Sequence, residues 1–125
     1  VRPTNSELSI LAILWKEGPA TVRQVNEIRN KDRKVGYTNT LKIMQLMHEK
    51  GLLIRDTTER SHIYTPAIKE EEVKRNVVSD MVNTMFDGKT SKLLIHALGS
   101  YSPSKDELDE IKSLLNNFDD DATVR

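Results

Sequence analysis

The residues with the most specific chemistry in this chain are Tyr37, Thr38, Asn39 and Lys42. An Asn carboxamide can pair with both hydrogen-bonding groups on an adenine edge. A Thr can meet a thymine methyl or a phosphate, and a Lys neutralises phosphate. A helix that starts at this point adds its own positive N-terminal end. Arg60, in the polar run Thr58–Ser61, and Arg55 offer two more cations for a phosphate backbone or a minor groove. Thr38 and Asn39 serve equally well as helix caps, and the three cations serve equally well as solvated charge. Their concentration on one helix start and one loop tip favours recognition.

Other chemistries find less support. His48, His62 and His96 are far apart, and none has another His or an acid at a metal-ligand spacing. With no cysteine, thiolate zinc sites, disulfides and a cysteine nucleophile are excluded. Five glycines are scattered singly, so no phosphate-cradling loop forms. Glu70-Glu71-Glu72 and Asp106-Glu107 read as helix N-terminal charge rather than a catalytic dyad. The expectation is a protein with no catalytic residues, no metal and no cofactor.

The elements that must position the candidate residues are legible. Thr4 and Glu7 form a capping box ahead of the apolar run Leu8–Trp15, and Gly18-Pro19 stops that helix. The run lacks the basic start and small-residue cleavage site of a signal peptide. Thr21 and Gln24 form a second capping box, with Val22, Val25 and Ile28 behind it, and the helix is expected to break near Asn30. A third helix is expected from about Thr38 to Lys50, with Thr40, Ile43, Met44 and Met47 on one face and Gly51 as its left-handed stop. The period then changes. Residues 52–57 and 62–65 read as two strands around a charged tip, closed by Pro66. Three helices followed by a β-hairpin describe a winged helix, a helix-turn-helix elaboration whose third helix enters the DNA major groove.

Beyond Pro66 the sequence reads as helix. Val73, Val77, Met81 and Met85 recur every fourth residue; Leu93, Leu94 and Leu98 follow, then Leu108, Ile111 and Leu115. Such stripes are core positions. Three short helices hold too little mass for an independent domain, so the expectation is a helical dimerisation region shared with a second copy. Each buried aliphatic side chain contributes about 1.5–3 kcal/mol, so about six across an interface outweigh the association cost. The expected architecture is mainly α, with a winged helix over residues 1–66 and a dimerisation region with an acidic tail over residues 67–125.

The net charge of the 125 residues is zero, which argues against a nucleic-acid partner until the charges are placed. Residues 1–65 carry eleven Lys and Arg against seven Asp and Glu, a balance of +4, and the remainder carries −4. The excess of cations falls in the half that holds Tyr37, Asn39 and Lys42.

The stretches LSILAILWKEGPATVRQV, GYTNTLKIMQLMHEKGLL, SHIYTPAIKEEE and FDGKTSKLLIHAL, in that order and spacing, resemble the BlaI/MecI/CopY family of winged-helix repressors, also called the penicillinase repressor family. The resemblance spans about Thr4 to Phe118. It implies a cytoplasmic homodimer that blocks transcription by binding double-stranded DNA at a palindromic operator. Asn39 stands where many members have Thr, which keeps a base contact. Leu41 stands where several have a basic residue, which removes one contact and implies a different operator. The copper-responsive branch uses C-terminal cysteine pairs, which are absent here. The β-lactam branch is inactivated by a membrane-bound sensor protease at an Asn-Phe bond, and the matching place here is His96-Ala97. A different class of function, a winged-helix protein-interaction adaptor that does not bind DNA, uses the same fold. The Tyr37–Lys42 surface distinguishes the two.

Overall fold

The structure is a computed structural model that describes the backbone of residues 2–124 and the side chains of residues 2–119. It comprises α1 (Asn5–Glu17), α2 (Val22–Asp32), α3 (Tyr37–Glu49), β1 (Leu53–Asp56), β2 (Ile63–Pro66), α4 (Glu70–Met85), α5 (Thr90–Ser100) and α6 (Lys105–Val124). The fold is mainly helical with one antiparallel hairpin, as the sequence pattern implies. Two compact units emerge, Val1–Arg75 and Asn76–Arg125, and the division falls inside α4. Of the expected acidic tail, Asp120 and Asp121 lie outside the residues whose side chains are described.

Both capping boxes form. The Glu7 N–H donates to Thr4 Oγ1 at 3.2 Å, and the Thr4 N–H donates back to Glu7 Oε1 at 2.8 Å. The Gln24 N–H and Thr21 Oγ1 pair at 3.2 Å, with the reciprocal bond at 2.9 Å. Each box satisfies two backbone donors that a helix start leaves without partners. α3 begins one residue earlier than expected. Its N-cap is Gly36, with no side-chain cap, so Thr38 and Asn39 lie in the first turn and do not cap it. α2 runs past Asn30 to Asp32 because the Asn30 side chain works from within the helix. Its Nδ2 donates to the Asn26 carbonyl at 2.9 Å, and its Oδ1 accepts the Val35 N–H at 2.7 Å, tying down the following loop.

In the hairpin, Leu53 pairs with Pro66 and Asp56 with Ile63. Pro66 thus ends β2 rather than following it, a position where its missing N–H costs no ladder bond. The α1–α2 connection adds a third short edge. The Ala20 N–H donates to the Tyr64 carbonyl at 3.1 Å and the Tyr64 N–H returns to Ala20 at 2.8 Å. This bridge ties the wing to the helical body. The core between them includes Ile10, Leu11, Leu14, Val25, Met44, Met47, Leu53 and Tyr64, all at most 2% exposed.

In the second unit, the chain leaves α4 through Asp87 and Gly88, with φ of 54° and 72°. That left-handed pair breaks the helix. Ser104 Oγ accepts the Glu107 N–H at 3.2 Å at the start of α6. Phe86 and His96 face each other with ring centroids 5.4 Å apart. α5 buries none of its residues in the single chain.

Candidate nucleic-acid interface

The first turn of α3 opens on an exposed edge of the helix-turn-helix. Tyr37, Thr38, Asn39 and Lys42 are all exposed, and Lys42 follows Thr38 by one helical turn. The opposite face of the same helix is fixed in the core by Thr40, Met44 and Met47, each 0% exposed. Burial of one face therefore determines which side chains point outward.

Between α3, the start of α2 and the wing lies a cleft of about 270 Å³ whose lining includes Arg23, Tyr37, Gln45, Arg55, Arg60 and His62. Val22, Leu41 and Tyr64 also line it. Among the described residues, no Asp or Glu lines it. Arg23 stacks over the Tyr37 ring, its guanidinium carbon 5.7 Å from the ring centroid, a cation–π distance. Arg55 Nε is buried and meets no hydrogen-bond partner among the described residues.

The wing tip is shaped by Asp56. Its Oδ1 accepts the Thr58 N–H at 2.9 Å and also the Thr58 hydroxyl. These bonds, ahead of the weaker pull of His62, lower the Asp56 carboxyl below its ordinary pKa.

Of the expected residues, the structure brings Tyr37, Arg55 and Arg60 together in the cleft. Thr38, Asn39 and Lys42 stand on the exposed helix start. Arg23, Gln45 and His62 were not anticipated. The signal for Arg23 was present two residues after the Thr21 cap, but its partner Tyr37 is fourteen residues away and meets it only through the α2–α3 packing. A second omission is Arg29. It is 8% exposed and donates through Nη1 to Thr40 Oγ1 at 2.8 Å and to Asn39 Oδ1 at 3.2 Å.

The apolar stripes of the C-terminal helices divide in the single chain. Val73 and Val82 are buried, at 7% and 8% exposure. Val73 is thus already covered within its own chain. Val77, Leu93, Leu108 and Ile111 are half-buried. Met81, Met85, Leu94, Leu98 and Leu115 are exposed, Met85 by 71%, as are Ile95 and Phe118. His96 and Ala97 both lie exposed within α5.

The profile of the penicillinase repressor family matches residues 3–117. The chain is 28% identical over 92 residues to the transcriptional regulator BlaI of Mycobacterium tuberculosis, covering 72% of this chain and 67% of that one. It is 18% identical over 113 residues to the penicillinase repressor of Staphylococcus aureus, covering 90% of each. It is 19% identical to the methicillin resistance regulatory protein MecI of Mammaliicoccus sciuri, over 90% of this chain and 92% of that one. Among solved structures, a MarR family protein from Bacillus stearothermophilus superposes with a TM-score of 0.52 at 19% identity, over 98% of this chain and 77% of that one. RosR of H. salinarum superposes with a TM-score of 0.51 at 17% identity, over 98% and 96%. These likenesses give a winged-helix fold. With a family match over almost all of its length, the chain belongs to the penicillinase repressor family, whose named members here are transcriptional regulators and not enzymes.

Proposed function

We propose that the protein is a transcriptional repressor that binds a palindromic DNA operator as a homodimer in the cytoplasm. The observation that carries this reading is the acid-free cleft of Arg23, Arg55, Arg60 and His62 beside the exposed start of α3. The cleft suits the sugar-phosphate backbone, with the guanidinium groups of Arg23, Arg55 and Arg60 as donors to phosphate oxygens. With the backbone held there, the start of α3 lies in the major groove. Asn39 then meets a base edge, Thr38 a thymine methyl or a phosphate, and Lys42 a phosphate. Arg60 on the wing follows the backbone into the adjacent minor groove.

Dimerisation is supported by the exposed Met85, Leu94, Leu98 and Leu115 on helices that bury little in one chain. An exposed apolar surface of this kind marks an interaction site. Pairing also supplies the affinity that one winged helix lacks, because the second half-site is bound at high effective concentration. Two-fold symmetry then requires a palindromic operator.

The test is selection of bound duplexes from a random pool, with mass measurement of the free protein. A palindromic consensus, a dimer mass and an affinity that falls steeply with salt are expected. The combined Asn39→Ala/Lys42→Ala variant should abolish operator binding and leave the dimer intact. No enrichment and no shift of DNA even at low salt would exclude the repressor and favour an adaptor.

A further inference from the structure

Arg29 holds a position that packing alone does not explain. It lies near the end of α2 with nine-tenths of its surface buried, and burial, followed by the neighbouring Arg33 charge, lowers its pKa below the ordinary value. A guanidinium taken out of water needs hydrogen-bond acceptors. Thr40 Oγ1, 2.8 Å away and fully buried, is one, and it suffices to join α2 to α3. The same Nη1 also reaches Asn39 Oδ1 at 3.2 Å, and Asn39 is exposed on the outer face of α3. The network behind these bonds is fixed. The Asn26 carboxamide lies 2.6 Å from Thr40 Oγ1. With its nitrogen turned toward the α2–α3 loop, it also reaches the Val35 and Gly36 carbonyls at 3.2 and 3.3 Å.

This arrangement has a chemical consequence for Asn39. A guanidinium only donates, so the amide oxygen must face it and the NH₂ cannot. The amide therefore has one orientation before any ligand arrives. Its Nδ2 is directed away from Arg29, and its oxygen keeps a second lone pair. An adenine edge requires that pair of groups, N7 accepting from Nδ2 and N6 donating to Oδ1. A side chain fixed in advance also loses less rotamer freedom on binding.

We propose that Arg29 is a positioning residue for base recognition. By holding the Asn39 carboxamide in one orientation, it sets a preference for adenine at the operator position that Asn39 meets. This rests on the reading of α3 as the base-contacting helix. Arg29 itself touches no base.

The experiment compares the full-length protein with Arg29→Met, Arg29→Lys, Asn39→Ala and the Arg29→Met/Asn39→Ala double variant. Each is measured on the selected operator, on its three single-base variants at the adenine position, and on an unrelated duplex. Arg29→Met should cut the adenine preference about tenfold and leave preferences at other positions unchanged. Arg29→Lys should keep the affinity for the unrelated duplex without restoring the adenine preference. The double variant should match Asn39→Ala. A uniform loss across all positions, or an adenine preference kept within about twofold in Arg29→Met while Asn39→Ala loses it, overturns the role of Arg29 and leaves Asn39 as the reader. A preference that survives Asn39→Ala overturns the base contact and the positioning role together. If the Arg29 variants do not fold, the Asn39 side-chain NH₂ order parameter in the free, unmutated protein decides. Rigidity near that of the backbone supports the proposal, and a value below about 0.6 overturns it.

Discussion

Glu7 is the residue whose role the sequence half conceals. It completes the capping box of α1, yet it is also 3% exposed and receives a hydrogen bond from Lys50 Nζ at 2.8 Å. Burial by itself would raise its pKa. The Lys50 hydrogen bond, the Thr4 bonds and the Lys50 charge outweigh burial, and the net shift is downward. A carboxyl with a lowered folded pKa stabilises the fold above its ordinary value and loses that contribution as pH falls through the folded value. Stability should therefore decline as pH drops below the ordinary 4.5. Glu7→Gln should lower stability by about 1–2 kcal/mol at neutral pH, because the charge-assisted bond is lost, and should flatten the acid limb. Denaturant melts at several pH values check both outcomes. Equal acid sensitivity in the two proteins would remove Glu7 as the cause.

Among the elements, α3 is the most constrained. Its start is open and its end is closed by Gly51 at φ 82°, a conformation L side chains rarely adopt. A Cβ at Gly51 would meet nothing within 4 Å, so only backbone strain opposes a substitution. Gly51→Ala should cost about 1 kcal/mol in a denaturant melt and leave DNA affinity per folded molecule unchanged. A loss of affinity in the folded variant would mean that the α3–β1 turn also sets the angle of the wing. The element boundaries show where local reasoning stops. Thr38 and Asn39 have the residue types of caps, but Gly36 occupies the cap position. The helix starts one residue early because the Gly36 carbonyl already accepts the Asn39 and Thr40 N–H groups, at 3.2 and 3.3 Å. Asn30 looked like a helix breaker, yet its side chain bonds on both sides keep α2 intact.

For the whole molecule, the proposed dimer and the proposed DNA contact are coupled. Met85→Glu and Leu98→Glu place charge at positions 71% and 40% exposed in the single chain. Exposed substitutions of this kind change the stability of a lone chain by about 0.5 kcal/mol or less. Buried across a two-fold interface, each charge is unpaired in both copies. The double variant should sediment as a folded monomer and bind the palindromic operator at least about a hundredfold more weakly, because the effective concentration of the second half-site is lost. It should keep its affinity for a single half-site. A dimer mass for this variant would place the interface elsewhere. Zero net charge is no obstacle to DNA binding here, since the +4 balance lies in residues 1–65.

The sequence by itself determined the elements and the family. Capping boxes, glycine stops and apolar periods are local, and each is written within a few residues, so α1, α3, the hairpin and the helical character beyond Pro66 could be read directly. Tyr37, Asn39, Lys42, Arg55 and Arg60 could be named as candidates because hydrogen-bonding and cationic side chains concentrate at one helix start and one hairpin. Only the tertiary structure decided how those candidates are held. Arg23 on Tyr37, Arg29 on Asn39 and Thr40, Lys50 on Glu7 and the Ala20–Tyr64 bridge join residues ten to forty-four positions apart. Such pairs depend on how helices pack. Side-chain burial, not local propensity, then selects which polar groups are shared inside and which remain exposed.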